Sequence, residues 1–466
     1  MSGVPSLTEA ARRIRSGSLL PSALLEECVS RLESQDATLN AFVTTTIEAA
    51  RVAARMADRE VLAGRWRGPL HGIPIGIKDV IDVAGVPTTA QSRQLENHVP
   101  AKSAAVVNKL AAAGAVILGK LTTHEFAFGT PAWDGPAPPA RNPWKTDRFA
   151  GGSSSGAGVA TAVGMVLGAV GTDTAGSVRS PAALCGVAGL KPGQARVSRR
   201  GVFPLAPSLD AVGVCAWTVE DCATLYSAMV PSSQLGPRRS SGKDFPDLDT
   251  DLRGLRIGVV RHFFTEDAPI SNDGLTAIDE ALDVFRSQGC RVRDVSLAPL
   301  REWNAVGMML LLAEAFSFHE PWLRGRSRLY GESVRDALLL GGLIDAADYV
   351  QANHHRKRLS ESIDALFEDN DILVSAIQGG EAAPIEAIGK WGFIERPSYG
   401  VPFNVSDHPA LSACCGFGRQ GLPLAIQLVC RRNEEQLLLR AGHAYECAAG
   451  WRGIRPPLGQ VPAVVE

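Results

Sequence analysis

Residues Leu255–Val295 carry the pattern that most restricts the fold. Leu255–Val260 reads as an apolar strand, Asp273–Ser287 has helical periodicity, and Arg291–Val295 is again a strand. A strand, a helix and a strand in that order bury their apolar faces when the helix lies against a sheet. The trio therefore predicts an α/β sheet with helices on its faces. The same alternation extends on both sides. Ala104–Ala113 is helical and Ala115–Leu118 a strand. Glu302–His319 and Ala346–Phe367 are long helical patterns. Ile372–Ser375 and Leu424–Val429 are strands, and Glu434–Ala448 is a closing helix.

The first part of the chain is helical. Ser6-Leu7-Thr8-Glu9 has the form of a capping box, with Gly17 as the stop. Pro21 opens a second helix to about Glu33, and a third spans Thr46–Leu62. The polar stretch Pro231–Asp251 interrupts the pattern. Because α/β patterning continues beyond it, it reads as a surface excursion within one large domain.

Bulk properties exclude several classes. The chain has 466 residues, 45% of them hydrophobic and 21% charged, as in ordinary globular proteins. A net charge of −2 announces no basic surface for nucleic acid. Nine scattered cysteines, with no CxxC pair, give neither a disulfide framework nor a zinc site and suit a reducing compartment. The apolar runs Ala157–Val170 and Ala305–Leu312 are too short to span a bilayer. The charged, amphipathic start is unlike a signal peptide. The expectation is a soluble cytoplasmic protein.

The chemistry concentrates in FAGGSSSGAGVATA, Phe149–Ala162. Gly152-Ser153-Ser154-Ser155-Gly156 formally matches a nucleophile elbow, which needs a buried strand before it. Asn142–Arg148 is no such strand. A phosphate-binding loop would need a terminal Gly-Lys-Ser/Thr or a complete G-x-G-x-x-G, and neither is present. The remaining chemical reading is a serine–lysine hydrolase, which requires a neutral lysine. Free lysine titrates near 10.4, so holding it neutral at pH 7 costs roughly 4.6 kcal/mol. Burial in apolar surroundings supplies shifts of that size. Lys78, at the end of the apolar run Ile73–Ile77, is the candidate; its bland alternative is a strand-end lysine paired with Asp79. Ser240-Ser241-Gly242-Lys243 also has S-x-x-K spacing but falls in the polar excursion. A second small-residue loop, Gly171–Arg179, surrounds Ser177 with minimal side chains. That suits backbone N–H groups approaching a carbonyl oxygen, or simply a tight turn. Ser153 and Ser177 are 24 residues apart, room for a helix and a strand.

These segments resemble the amidase signature family of serine hydrolases. The resemblance continues through Leu184–Pro192, Arg199–Pro204 and Ser208-Leu209-Asp210. It resumes at Pro402-Phe403-Asn404, His408-Pro409-Ala410, Gly421-Leu422-Pro423 and Gln427-Leu428. It implies one α/β/α domain over residues 1–466, with a large mixed β-sheet covered by helices on both faces. Within it lie a helical N-terminal part (about 1–65), a signature core (about 66–230) and a variable pocket-shaping part (about 255–400). It further implies Ser177 as nucleophile, Ser153 as bridging serine after a cis Gly152–Ser153 bond, and Lys78 as base. Thr174, Ala175, Gly176 and Ser177 would supply oxyanion-hole N–H groups, with Ser154, Asp173 and Arg179 supporting; a solvated Asp173–Arg179 pair is the plainer alternative.

No cofactor and no metal are implied. The partner would be a small-molecule amide, with a homodimer left open and neither nucleic acid nor membrane involved. The reaction would be amide hydrolysis to a carboxylic acid and ammonia or an amine. Carbamate, ester or anilide hydrolysis, the A subunit of a tRNA-dependent amidotransferase, and a binding-only protein are the alternatives. Ala175 and Ser155 stand where glycine is frequent in the family. Asp134, Pro138, Ser375–Gln378 and Ala413–Gly416 depart from common pocket residues, so substrate preference does not transfer. Met308–His319 and Tyr330–Tyr349 are the helices expected to shape the pocket.

Overall fold

Eleven strands hydrogen-bond into one mixed sheet in the computed structural model, which describes residues 4–231, 233 and 245–457. The strands are β1 (Phe42–Thr45), β2 (Pro74–Lys78), β3 (Val116–Leu121), β4 (Gly168–Asp173), β5 (Ala188–Lys191), β6 (Ala211–Ala216), β7 (Arg256–Val259), β8 (Arg291–Asp294), β9 (Ile372–Ala376), β10 (Ala410–Phe417) and β11 (Pro423–Cys430). Their order is β1-β3-β2-β4-β6-β5-β10-β11-β9-β7-β8. β3, β2 and β4 pair in parallel, as do β9, β7 and β8, and antiparallel pairs link these groups. The sequence trio is confirmed as β7, the helix Asn272–Ser287 and β8, with β7 and β8 parallel neighbours.

Both faces of the sheet are covered. Successive strand residues point to opposite faces. Val170 of β4 and Val212, Val214 and Ala216 of β6 join one apolar cluster with the helix Val219–Met229. Their neighbours Ala169 and Cys215 join a second cluster with the helix Ser155–Ala162. The N-terminal part is helical as expected, with Ser6 Oγ accepting from the Glu9 N–H. The second helix, Pro21–Leu39, runs further than its apolar pattern and stops at Asn40, which adopts a left-handed conformation.

β1, β5, β6 and β10 are not apparent from periodicity. β6 and β10 are built mainly from Ala, Gly and Cys, β5 is half Ala and Gly, and all three are nearly all buried, so they show no polar alternation. Close packing requires this composition. A Cβ on Gly213 would lie 2.4 Å from the Leu190 carbonyl oxygen. The Ser240–Lys243 match lies outside the described residues.

Candidate active site

Lys78 ends β2 at the centre of the parallel group, with no exposed surface. Its Nζ lies 2.8 Å from Ser153 Oγ and 2.9 Å from Thr172 Oγ1. Burial pushes its pKa down from 10.5 to about 7, against the opposing charges of Asp173 and Asp210. Burial thus favours the neutral amine. The strand-end pairing with Asp79 does not form. Asp79 instead meets Lys120 of β3 at 2.9 Å.

The loop before the helix Ser155–Ala162 brings Ser153 to that amine, and the Gly152–Ser153 peptide is cis. The three serines have separate environments. Ser153 touches Lys78 and a cavity. Ser154 donates from Oγ to the Thr172 carbonyl (3.1 Å) and from its N–H to the Ser177 carbonyl (3.0 Å). Ser155 Oγ is buried and has no hydrogen-bond partner among the described residues.

Ser177 sits between β4 and the helix Arg179–Cys185. Asp173, at the end of β4, organises this loop by accepting from the N–H groups of Gly176 (2.8 Å) and Val178 (3.1 Å). Arg179 donates to the same carboxylate from Nε and Nη2, at 3.0 and 2.8 Å. The pair is wholly buried, not solvated. Burial alone would push the Asp173 carboxyl up, but Arg179 outweighs it and holds the group well below the usual carboxylate range. Arg179 further donates to Gln427 Oε1 (2.6 Å) and Asn404 Oδ1 (2.5 Å). These two C-terminal residues thus meet the Ser177 loop.

One of the four expected oxyanion amides is already engaged, because Gly176 N–H points at Asp173. The N–H groups of Thr174, Ala175 and Ser177 donate to no protein acceptor among the described residues. Thr174 Oγ1 donates to Asp210 Oδ1 at 2.6 Å, which ties the loop to the Ser208-Leu209-Asp210 segment.

Ser153 and Ser177 share a cavity of about 590 Å³ with Thr174, Ala175 and Gly176. Its apolar walls include Phe128, Phe149, Met308, Leu311 and Phe393. Of the stretches expected to shape the pocket, Gln378, Met308 and Leu311 reach it, and Gly129 and Thr130 line it as well. Asp134 instead caps the N–H of Glu332 at 2.8 Å, and neither Tyr330–Tyr349 nor Ala413–Gly416 lines the cavity. Residues 387–389, 392, 393, 395–398 and 401 also line it, and His124 is a wall residue that the sequence does not single out. His408 and His443 do not reach it. His408 bonds Ser406 Oγ, and His443 bonds Arg452. Among the described residues, no group of His, Cys, Asp and Glu could hold a metal ion, and no helix is long and apolar enough to cross a membrane.

Comparison with known proteins sets this fold and pocket among enzymes acting on amide bonds. The chain belongs to the amidase family, whose model, described as Amidase, matches residues 23–439. It is 36% identical to the A subunit of glutamyl-tRNA(Gln) amidotransferase from Chloroflexus aurantiacus, across 97% of this chain and 98% of the relative. It is 34% identical to the putative amidase AmiD of Mycobacterium bovis, over 97% and 96% of the two chains. The solved peptide amidase of Stenotrophomonas maltophilia superposes with a TM-score of 0.82 at 28% identity, covering 98% of this chain and 99% of the other.

Proposed function

We propose that the protein hydrolyses the carbon–nitrogen bond of a small or aryl amide through an acyl-enzyme on Ser177. The observation that carries this reading is Lys78, wholly buried and 2.8 Å from Ser153 Oγ. An amine held neutral there accepts the Ser153 proton as Ser153 takes that of Ser177. Ser177 Oγ bonds to the carbonyl carbon, and the N–H groups of Thr174, Ala175 and Ser177 receive the oxyanion. Ser153 then protonates the nitrogen and recovers its proton from Lys78. The C–N bond breaks, and ammonia or an amine leaves. Water repeats the relay in the second half, adding to the acyl carbon and releasing the carboxylic acid and Ser177. Asp173, Arg179 and Ser154 position the loops.

This reading treats residues 1–466 as one amidase signature domain: a helical part to about 65, a core to about 230, and a pocket-shaping part from about 255 to 400. The buried free cysteines are consistent with work in the cytoplasm. The same relay would act on esters, carbamates and anilides. A second reading, as part of a tRNA-dependent amidotransferase, is favoured by the similarity to the Chloroflexus aurantiacus protein, and partner-dependent glutaminase activity would reveal it.

The decisive assay combines turnover of an amide library with labelling by a fluorophosphonate probe. Ser177→Ala should lose both. Retained turnover in Ser177→Ala would overturn the proposal.

A further inference from the structure

His124 has one tautomer imposed on it. Its Nδ1 lies 3.0 Å from the Gly129 carbonyl oxygen. A carbonyl has no proton to give, so Nδ1 carries the hydrogen and Nε2 presents a lone pair. The ring is held on its other sides too. It stacks on Phe149 with centroids 6.0 Å apart. It also covers Gly152 so closely that a Cβ there would lie 2.0 Å from Cε1 and 2.4 Å from Nε2. The His124 N–H donates to the Ser153 carbonyl at 3.1 Å. Burial pushes the imidazole down to about 4, so the ring is neutral at working pH. His124, Gly152, Ser153 and Ser177 all line the cavity. A fixed acceptor thus stands beside the residue that precedes Ser153, within a wall otherwise rich in apolar side chains.

We propose that His124 Nε2 accepts a hydrogen bond from an N–H on the leaving nitrogen, making the site selective for primary and secondary amides over tertiary amides and esters of the same acid. This rests on the Ser177 reading above. In the tetrahedral adduct the nitrogen must turn its lone pair toward Ser153 before it can be protonated. Donating its own N–H to Nε2 fixes that rotation. His124 takes no proton, so the relay through Ser153 and Lys78 is unchanged. An ester oxygen has no hydrogen to offer and leaves Nε2 unpaired.

The test is the ratio of kcat/KM for an amide and an ester sharing an acyl group that wild type turns over, starting with benzamide and methyl benzoate. The ratio is read within each variant, so a reduced folded fraction cancels. In His124→Phe, which keeps a ring but removes the acceptor, the amide should fall at least about tenfold further than the ester. His124→Gln, whose Oε1 can accept, should restore part of the preference. N,N-dimethylbenzamide should follow the ester. Equal losses on both substrates, or an amide rate untouched by His124→Phe, would overturn the proposal. Turnover surviving Ser177→Ala in the parallel assay would instead overturn the reading beneath it.

Discussion

Two lysines on neighbouring strands are buried to the same extent and surrounded by different chemistry. Lys78 on β2 and Lys120 on β3 both have no exposed side-chain surface. Ile77, not Lys78, stands opposite Lys120 in the parallel register, so the two amines project from opposite faces of the sheet. Among the described residues, Lys78 finds only the hydroxyls of Ser153 and Thr172 within 3 Å. Lys120 finds the Asp79 carboxylate at 2.9 Å and Thr88 Oγ1 at 2.7 Å. Burial lowers both pKa values, and the adjacent Asp79 opposes the shift at Lys120. Burial alone therefore does not mark a base. Nor does the lack of a directly paired acid, since Lys191 of β5 is equally buried and among the described residues reaches only the Pro192 carbonyl. What sets Lys78 apart is the Ser153 hydroxyl at the cavity, while the neighbouring Asp79 meets Lys120.

Substituting each lysine gives the largest contrast. Lys78→Ala should lower kcat/KM by about a thousandfold or more while the protein stays folded, because it removes a member of a unit that acts together. Lys120→Met should instead cost about 3–5 kcal/mol in denaturant unfolding, since it strands a buried carboxylate, and adding Asp79→Asn should recover part of that loss. Comparable activity losses with unchanged stability in both variants would break the comparison.

Arginine sharpens it, because a guanidinium cannot be neutral. Lys78→Arg should be as inactive as Lys78→Ala. Lys120→Arg should retain most turnover, measured with the same substrate.

The pH profile follows from the same difference. A base works when deprotonated, so kcat/KM should rise with pH through a limb at about 7 and level off above it. Asp210 opposes the lowering of the Lys78 pKa, so Asp210→Asn should move the limb to lower pH by a fraction of a unit. Movement to higher pH would contradict the assignment.

The smallest contrast lies in the hydroxyl neighbours. Thr172→Val should reduce kcat by about tenfold or less, whereas Thr88→Val should spare kcat and cost about 1 kcal/mol in unfolding.

The sequence disclosed these regions unevenly. Long helices and the β7–helix–β8 unit were legible because apolar spacing reports which face is buried. The strands β5, β6 and β10 were not, because small residues buried on both faces leave no period to read. Lys78 stood out as a cation ending an apolar run, and the roles of Ser153 and Ser177 came with the family resemblance. Asn404 and Gln427 were visible only as motif letters, because their contacts with Arg179 cross more than two hundred residues of chain. The Gly176 amide looks free in the sequence, and only the loop geometry shows it bound to Asp173. His124 gave one signal, a histidine shortly after the strand that carries Lys120, which spacing alone does not connect to Gly152.

The charge state of Lys78 is the central claim, and its side-chain 13Cε resonance reports it directly. The signal can be assigned by its absence in Lys78→Arg and followed with pH. A midpoint at about 7 that coincides with the limb in kcat/KM is the predicted result. A Lys78 that stays charged through about pH 9, as free lysine does, would contradict it.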